Sequence, residues 1–253
     1  MRIYFFPIFM AAFFCVAWNA EAGISVRPTV IEQAVIPGEI LTGTYTVQNT
    51  GDQSLIIDVE PEDWFNRMHG NQDLSVEDWF KVSESEFELA PGAVKKIEYT
   101  ITAPMDLELE KAAQVFFAFR EQAGIRSRLG VVVYITKKDA WELNADIKDL
   151  IVKNREGSSG EPMIVASFKI KNHSNVHIRP KGMIRVLKDN KEVAAFTFIK
   201  SPAIYPDQDF AFTIPQEGNP IQPGRYQVEV NISYGHTYDV DAVLKRTFEV
   251  KIQ

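Results

Sequence analysis

The side chains best suited to chemistry in this 253-residue chain are four histidines, at positions 69, 173, 177 and 236. His173 and His177 are four residues apart, which is the spacing of a metal-binding pair on a helix. Here they lie in a turn containing Ser and Asn between predicted strands, with no carboxylate nearby in sequence. Because zinc sites normally need three or four ligands, we interpret both as exposed loop histidines and expect no metal site.

Catalytic patterns are absent from the sequence. No serine lies in a nucleophile elbow, and no glycine-rich loop could hold a phosphate. The only cysteine, Cys15, lies in the apolar N-terminal run. The acidic runs Glu60–Asp63 and Asp106–Glu110 lack the spaced ligands of a calcium loop, so we interpret them as solvated loop charges. We therefore expect no enzyme activity, no cofactor and no small-molecule substrate.

The first 22 residues have the pattern of a cleaved signal peptide. Arg2 precedes the apolar run Ile3–Trp18, and Ala20-Glu21-Ala22 is a small-x-small cleavage site. The remaining chain contains no cysteine, so no disulfide can form and stability must come from burial. These features predict an exported protein in the periplasm, with the cell surface as a second location.

Charge and length limit the partners and the number of domains. The formal net charge of -7 argues against nucleic acid and against an anionic membrane surface. The chain without residues 1–22 is long enough for two domains of about 100–120 residues, each with its own core. No feature of the sequence indicates an oligomeric state.

Short strand-like runs separated by Pro and Gly recur along the chain. Ser25–Val35 is predicted as one strand, and Lys95–Thr102 alternates with Ile97, Tyr99 and Ile101 on one face. Asn66–Glu77 is predicted as an exposed loop, and no helix is expected. This pattern predicts an all-β protein with two tandem immunoglobulin-like β-sandwich domains, residues 23–139 and 140–253, after the signal peptide.

Two aromatic pairs, Trp64-Phe65 and Trp79-Phe80, each follow a Glu-Asp dipeptide. The first interpretation is that these pairs pack on the sandwich, as most such aromatics do. The alternative is a projecting aromatic surface that contacts a partner.

Arg126–Lys138 is the most suggestive candidate strand, with Leu129, Val131, Val133 and Ile135 on one face. At the edge of a sheet, such a strand would offer unpaired N–H and C=O groups to a guest strand. We predict these four residues as a partner-strand binding site. The other interpretation is an ordinary, fully paired last strand.

The first half resembles the N-terminal domain of PapD-like periplasmic pilus chaperones. The matching segments are Ser25–Ile31, Leu89-Ala90-Pro91-Gly92, Val115–Glu121 and Leu129–Ile135. The resemblance implies two immunoglobulin-like domains, no enzyme activity, and binding of pilus subunits by the last strand of the first domain.

The family's carboxylate anchor is not found at its usual places. The resemblance implies an Arg on the first strand and a Lys on the last, but Val30 and Val132 stand there. Arg27, Lys137 and Lys138 are the nearest candidate substitutes.

The first half also resembles the immunoglobulin-like domains of WxL-interacting surface proteins. The leading hypothesis is a periplasmic chaperone-like protein that binds extracytoplasmic subunits by β-strand addition. The alternative is a non-enzymatic surface scaffold or adhesion protein that binds cell-wall polymer or a surface protein.

Overall fold

The computed structural model describes residues 23–120, 124–199, 201–235 and 242–252. The predicted signal peptide, residues 1–22, lies outside the described residues. The regular secondary structure of the described residues is almost entirely β-strand, which confirms the all-β prediction. Within the described ranges, no helix is long and apolar enough to cross a membrane.

The first half of the chain, residues 23–139, contains nine strands and one short helix among its described residues. In chain order these elements are β1 (Ile24–Arg27), β2 (Val30–Val35), β3 (Ile40–Asn49), β4 (Leu55–Asp63), α1 (Trp64–Met68), β5 (Phe80–Val82), β6 (Glu86–Leu89), β7 (Val94–Thr102), β8 (Glu110–Arg120) and β9 (Arg126–Lys137).

These strands form two sheets, ordered β1-β3-β7-β5 and β2-β9-β8-β4-β6. Neighbouring strands are antiparallel except β2 and β9, which are parallel. The predicted single strand Ser25–Val35 is divided, because the chain crosses from one sheet to the other at Arg27-Pro28. Proline has no N–H to donate, so it suits the point where a strand leaves its ladder.

The described part of the second half contains seven strands: β10 (Ala145–Glu156), β11 (Pro162–Asn172), β12 (Lys181–Lys188), β13 (Lys191–Phe198), β14 (Asp209–Glu217), β15 (Gly224–Tyr234) and β16 (Ala242–Ile252). They form the sheets β10-β11-β14 and β13-β12-β15-β16, with all pairs antiparallel.

Each half has its own cluster of buried apolar side chains. In the first half, Ile97 and Ile101 of β7 are fully buried, while Tyr99 between them is half-buried on the same face. They pack with Phe117 of the opposite sheet in one cluster, since alternate residues of a strand point to the same side. A second cluster runs from Ala145 to Ile252. The two clusters lie on either side of residue 140, where the domain boundary is predicted; the division into two domains stays a prediction.

Two local predictions are wrong around residue 63. Glu60–Asp63 belongs to β4 rather than to a loop, and residues 64–68 form α1. The carboxylate of Asp63 accepts a hydrogen bond of 2.8 Å from the N–H of Asn66, which makes Asp63 an N-cap. A helix of five residues is too short to produce an apolar period that a sequence could reveal.

Candidate functional site

The edge of β9 is only partly covered. β8 pairs with β9 from Arg126 to Thr136, whereas β2 pairs with it from Val132 onward. At the start of this second pairing, the N–H of Val132 donates to the C=O of Thr29 at 3.2 Å. The N-terminal half of β9 is therefore paired with β8 on one side and with no described strand on the other.

The backbone groups at this edge can be assigned from the alternation of a strand. The N–H and C=O of one residue point to the same side, and those of the next residue point to the other. The backbone groups of Val132 point toward β2. Those of Arg126, Arg128 and Gly130 therefore point to the same side, away from β8. We define these backbone groups of Arg126, Arg128 and Gly130 as the open edge.

The four predicted partner-binding side chains lie toward the first-half core. Val131, Val133 and Ile135 are fully buried, and Leu129 is half-buried against the same cluster. In addition, the backbone N–H and C=O groups of these odd-numbered residues point toward β8, with which β9 is paired. What this strand offers to a partner is therefore the backbone of the open edge and the partly exposed side of Leu129.

The three candidate anchor residues lie at opposite ends of β2. Arg27 is exposed at the end of β1, two residues before Thr29, where the open edge stops. Lys137 is paired with Val35, and the N–H of Lys138 donates to the C=O of Val35. The structure thus places Arg27 beside the open edge and does not bring it together with the two lysines.

The arginines of β9 extend away from the open edge. The guanidinium of Arg128 lies 2.9 Å from a carboxylate oxygen of Glu60 and 2.6 Å from one of Glu62, both in β4. Arg126 also forms an ion pair with Glu60. Because β8 lies between β9 and β4, both side chains reach across β8 and leave the edge uncovered.

Gly130 permits close packing over this part of the sheet. It is in register with Phe116 of β8. A Cβ atom at Gly130 would lie 2.7 Å from Nε2 of Gln114 and 3.2 Å from Cε1 of Phe116. The guanidinium of Arg128 covers the same ring at 3.7 Å from its centre, which is a cation–π distance.

His177 lies between the two halves of the chain, and the prediction of an exposed loop histidine is wrong for it. Its side chain is fully buried, with Nδ1 2.6 Å from a carboxylate oxygen of Glu110 and Nε2 3.4 Å from one of Glu32. Arg179 forms an ion pair with Glu32 as well. The prediction that Glu110 is a solvated charge is likewise wrong, since its side chain is 5% exposed. His173 is exposed, as expected.

Ionisation at this junction follows from these contacts. Burial alone would raise the pKa of Glu32, but the hydrogen bond from His177 and the charge of Arg179 outweigh it and lower that pKa. Burial alone would lower the pKa of His177, but hydrogen bonds to Glu110 and Glu32 raise it. Both shifts favour the charged forms, so the junction holds a buried ion cluster.

Aromatic side chains complete the junction. The indole N–H of Trp64 donates to the hydroxyl of Tyr205 at 2.5 Å, and that hydroxyl lies 2.7 Å from the hydroxyl of Tyr134. Phe65 packs edge-on against Tyr205, with ring centres 5.7 Å apart. The ring of Tyr134 also stacks on His177, with centres 4.1 Å apart.

The second aromatic pair, Trp79-Phe80, is buried in the first-half core. Both Trp-Phe pairs therefore pack within the molecule, as the first interpretation predicts. Among the described residues, no group of three or more His, Cys, Asp and Glu side chains is arranged to hold a metal ion.

Sequence reasoning missed the junction because its members are far apart in the chain. Glu110 and Glu32 are 67 and 145 residues from His177, and Trp64 is 141 residues from Tyr205. The one local signal was misleading, because the acidic run Asp106–Glu110 suggested that Glu110 is exposed to solvent.

No protein-family profile and no curated protein matches the chain. Solved structures do. The chaperone CupB2 of Pseudomonas aeruginosa is 11% identical, with 88% of this chain and 100% of that chain covered and a TM-score of 0.43. The E. coli chaperone DraB is 13% identical, with 90% and 98% covered and a TM-score of 0.41.

A third similar structure is the CsuC–CsuE chaperone–tip adhesion subunit pre-assembly complex from the archaic chaperone-usher Csu pili of Acinetobacter baumannii. It is 12% identical, with 92% of this chain and 100% of that chain covered and a TM-score of 0.44. These matches are to PapD-like fimbrial chaperones, the family that the sequence resembles, at low identity and with TM-scores near 0.4.

Proposed function

We propose that this chain is a periplasmic, chaperone-like protein that binds a β-strand of extracytoplasmic protein subunits at the open edge of β9. The observation that carries this proposal is the set of backbone groups of Arg126, Arg128 and Gly130, which face away from β8 and are paired with no described strand. An uncovered strand edge of this kind binds other chains by β-augmentation.

The surroundings of the open edge also fit a guest strand. Natural proteins often protect strand edges with charged side chains, yet here Arg126 and Arg128 reach toward β4. Alternate residues of a guest strand would point inward and pack on Leu129, which is half-buried at the margin of the core. The guest strand should therefore be apolar at alternate positions.

Arg27 is the anchor that this geometry favours for a terminal carboxylate. β2 begins beside Val132 and runs parallel to β9. A guest strand that runs in the same direction along the open edge would have its carboxyl end at Thr29, close to Arg27. Lys137 and Lys138 lie at the far end of β2 and are too distant to share this role.

A matched pair of variants tests the open edge. Arg128→Pro removes an N–H that points to the open edge, whereas Arg128→Ala removes the same guanidinium and keeps the N–H. The probes are synthetic peptides covering the last predicted strand of each small exported protein encoded beside this chain. Peptide binding, measured by calorimetry, should weaken about tenfold or more in Arg128→Pro relative to Arg128→Ala, because the proline cannot donate a backbone hydrogen bond to the guest strand. A tenfold loss corresponds to about 1.4 kcal/mol.

The anchor is tested with the same peptides. Those with a free carboxyl end should bind more tightly than their C-terminal amides, and Arg27→Ala should abolish the difference.

Equal binding by Arg128→Pro and Arg128→Ala, or no binding of any peptide, would contradict strand addition at this edge.

No observation favours the alternative of a scaffold that binds polymer or a surface protein through aromatic loops. Trp79 and Phe80 are buried, and Trp64 and Phe65 contact Tyr205. Retention of the protein on cell-wall polymer at low salt would support that alternative.

A further inference from the structure

The buried contact of His177 with two carboxylates has no part in strand binding. His177 belongs to the second half of the chain, whereas Glu32 of β2 and Glu110 of β8 belong to the first. Its ring is fully buried, and the two carboxyl side chains are each 5% exposed. A titratable group thus lies at the contact between the halves, where its protonation state affects the hydrogen bonds that join them.

The contacts of both ring nitrogens favour the charged form of the ring. A carboxylate accepts hydrogen bonds and does not donate them, so each of the two nitrogens must carry a proton. Only the imidazolium has protons on both. In the neutral ring, one nitrogen would direct its lone pair at a carboxylate, and a buried acceptor would face another acceptor without a proton between them.

The contacts of this cluster within the described residues do not replace the second proton of His177. Arg179 pairs with Glu32, and the hydroxyl of Thr136 donates to Glu110 at 3.3 Å. Tyr134 and Tyr205 lie against the ring, and burial raises the pKa of both hydroxyls, so they remain neutral as the pH rises. The neutral ring keeps one N–H, which can donate to only one of the two carboxylates. Glu32 also keeps its ion pair with Arg179, and Glu110 keeps its hydroxyl contact from Thr136, but both lose the positive charge of the imidazolium.

We propose that His177 is a pH-dependent latch, which holds the two halves of the chain together when it is protonated and releases them when it is deprotonated. The two glutamate contacts raise the pKa of His177 above its ordinary value of 6.5. The latch is therefore fully closed below that ordinary value and opens as the pH rises through the raised pKa.

Spin labels can measure the separation of the halves directly. The chain has no cysteine after Cys15, so cysteines at exposed Glu88 and Lys191 give one labelled pair, with one label in each half. Double electron–electron resonance is recorded from mildly acidic to alkaline pH, and the ring of His177 is titrated by NMR in the unlabelled protein. The distance distribution should broaden over the pH range in which the ring signal of His177 shifts, above the ordinary range for histidine.

Two variants separate this latch from general effects of pH. His177→Gln should show the broad distribution at every pH, because a neutral amide cannot satisfy both carboxylates. His173→Gln, which changes an exposed histidine four residues away, should behave as the unmodified chain does.

The unmodified chain alone decides the matter if His177→Gln does not fold. Titration of His177 at or below the ordinary histidine range would overturn the latch, and so would a distance distribution that stays constant through its titration. Neither result bears on the peptide experiments, because the open edge is formed by β9 within the first half.

Discussion

Two buried tyrosines differ in what their hydroxyl groups contact. The hydroxyl of Tyr45 is buried in the first-half core with no hydrogen-bond partner in the described part of the chain. The hydroxyl of Tyr134 lies 2.7 Å from that of Tyr205. Burial raises the pKa of both groups, so each is a neutral hydroxyl under ordinary conditions. The same substitution should therefore have opposite consequences at the two positions.

Tyr45→Phe should leave the free energy of unfolding unchanged or raise it, because it removes a buried polar group that has no partner. Tyr134→Phe should lower it by about 1 kcal/mol, the usual net value of a lost hydrogen bond. Urea denaturation of the two variants measures the difference. A larger loss for Tyr45→Phe than for Tyr134→Phe would contradict this account.

Residue roles could be predicted where neighbours in sequence determine them. The burial of Ile97 and Ile101 follows from their alternation in one strand. The burial of His177 does not, because its carboxylate partners come from β2 and β8, which the fold alone brings to it. A polar residue in a turn looks exposed until the element that covers it is known.

At the scale of elements, β9 combines a core strand with an open edge. Its odd-numbered side chains, Val131, Val133 and Ile135 among them, fill the first-half core. Its N-terminal backbone groups remain outside the ladder with β2. Charged substitutions in the apolar row therefore test the stability of the sandwich rather than partner binding.

Val133→Asp should lower the free energy of unfolding by roughly 3 kcal/mol or more, because it places an unpaired carboxyl group in an apolar core. Ile125→Asp is the control: Ile125 immediately precedes the same strand but is 59% exposed, and its substitution should cost under about 0.5 kcal/mol. Thermal unfolding followed by circular dichroism gives both values. Similar melting temperatures for the two variants would contradict the placement of Val133.

The sequence predicted the existence of most strands but not the division of the first one. Apolar alternation through Ser25–Val35 is continuous enough to suggest one element. Which sheet each part joins depends on partners far along the chain, Val47 for Val26 and Val132 for Val30. The open edge exists because of this division, so it too lay beyond what local patterns could show.

At the scale of the whole molecule, the buried ion cluster makes stability depend on pH in both directions. The pKa of His177 is raised, so its contribution is complete below its ordinary value of 6.5 and is lost as the pH rises through the folded-state pKa. The pKa of Glu32 is lowered, so its contribution is complete above its ordinary value of 4.5 and is lost as the pH falls through the folded-state pKa.

The free energy of unfolding should therefore be highest between about pH 4.5 and 6.5, where both contributions are complete. Denaturant titrations across the pH range measure this profile. In His177→Gln, the loss on the alkaline side should be reduced relative to the unmodified chain. An unchanged alkaline slope in that variant would contradict the assignment to His177.

Each half of the chain has its own apolar cluster, and the contact between the two halves did not follow from the sequence. Tyr205, Trp64 and Tyr134 are separated by long stretches of chain, and no periodicity connects them. The contacts between the two halves depend on how the folded sheets pack against each other, which local sequence patterns do not reveal.

The position at which β2 begins to pair with β9 also determines the length of the open edge. Six residues, from Arg126 to Val131, precede the point where Thr29 already accepts the N–H of Val132, which corresponds to about 20 Å of extended chain. A guest strand on this edge can therefore extend only as far as Thr29, because β2 occupies the edge of β9 from there on. The start of β2 would thus limit the length of partner strand that can pair with β9, and any further residues of the partner would have to leave the sheet at this point.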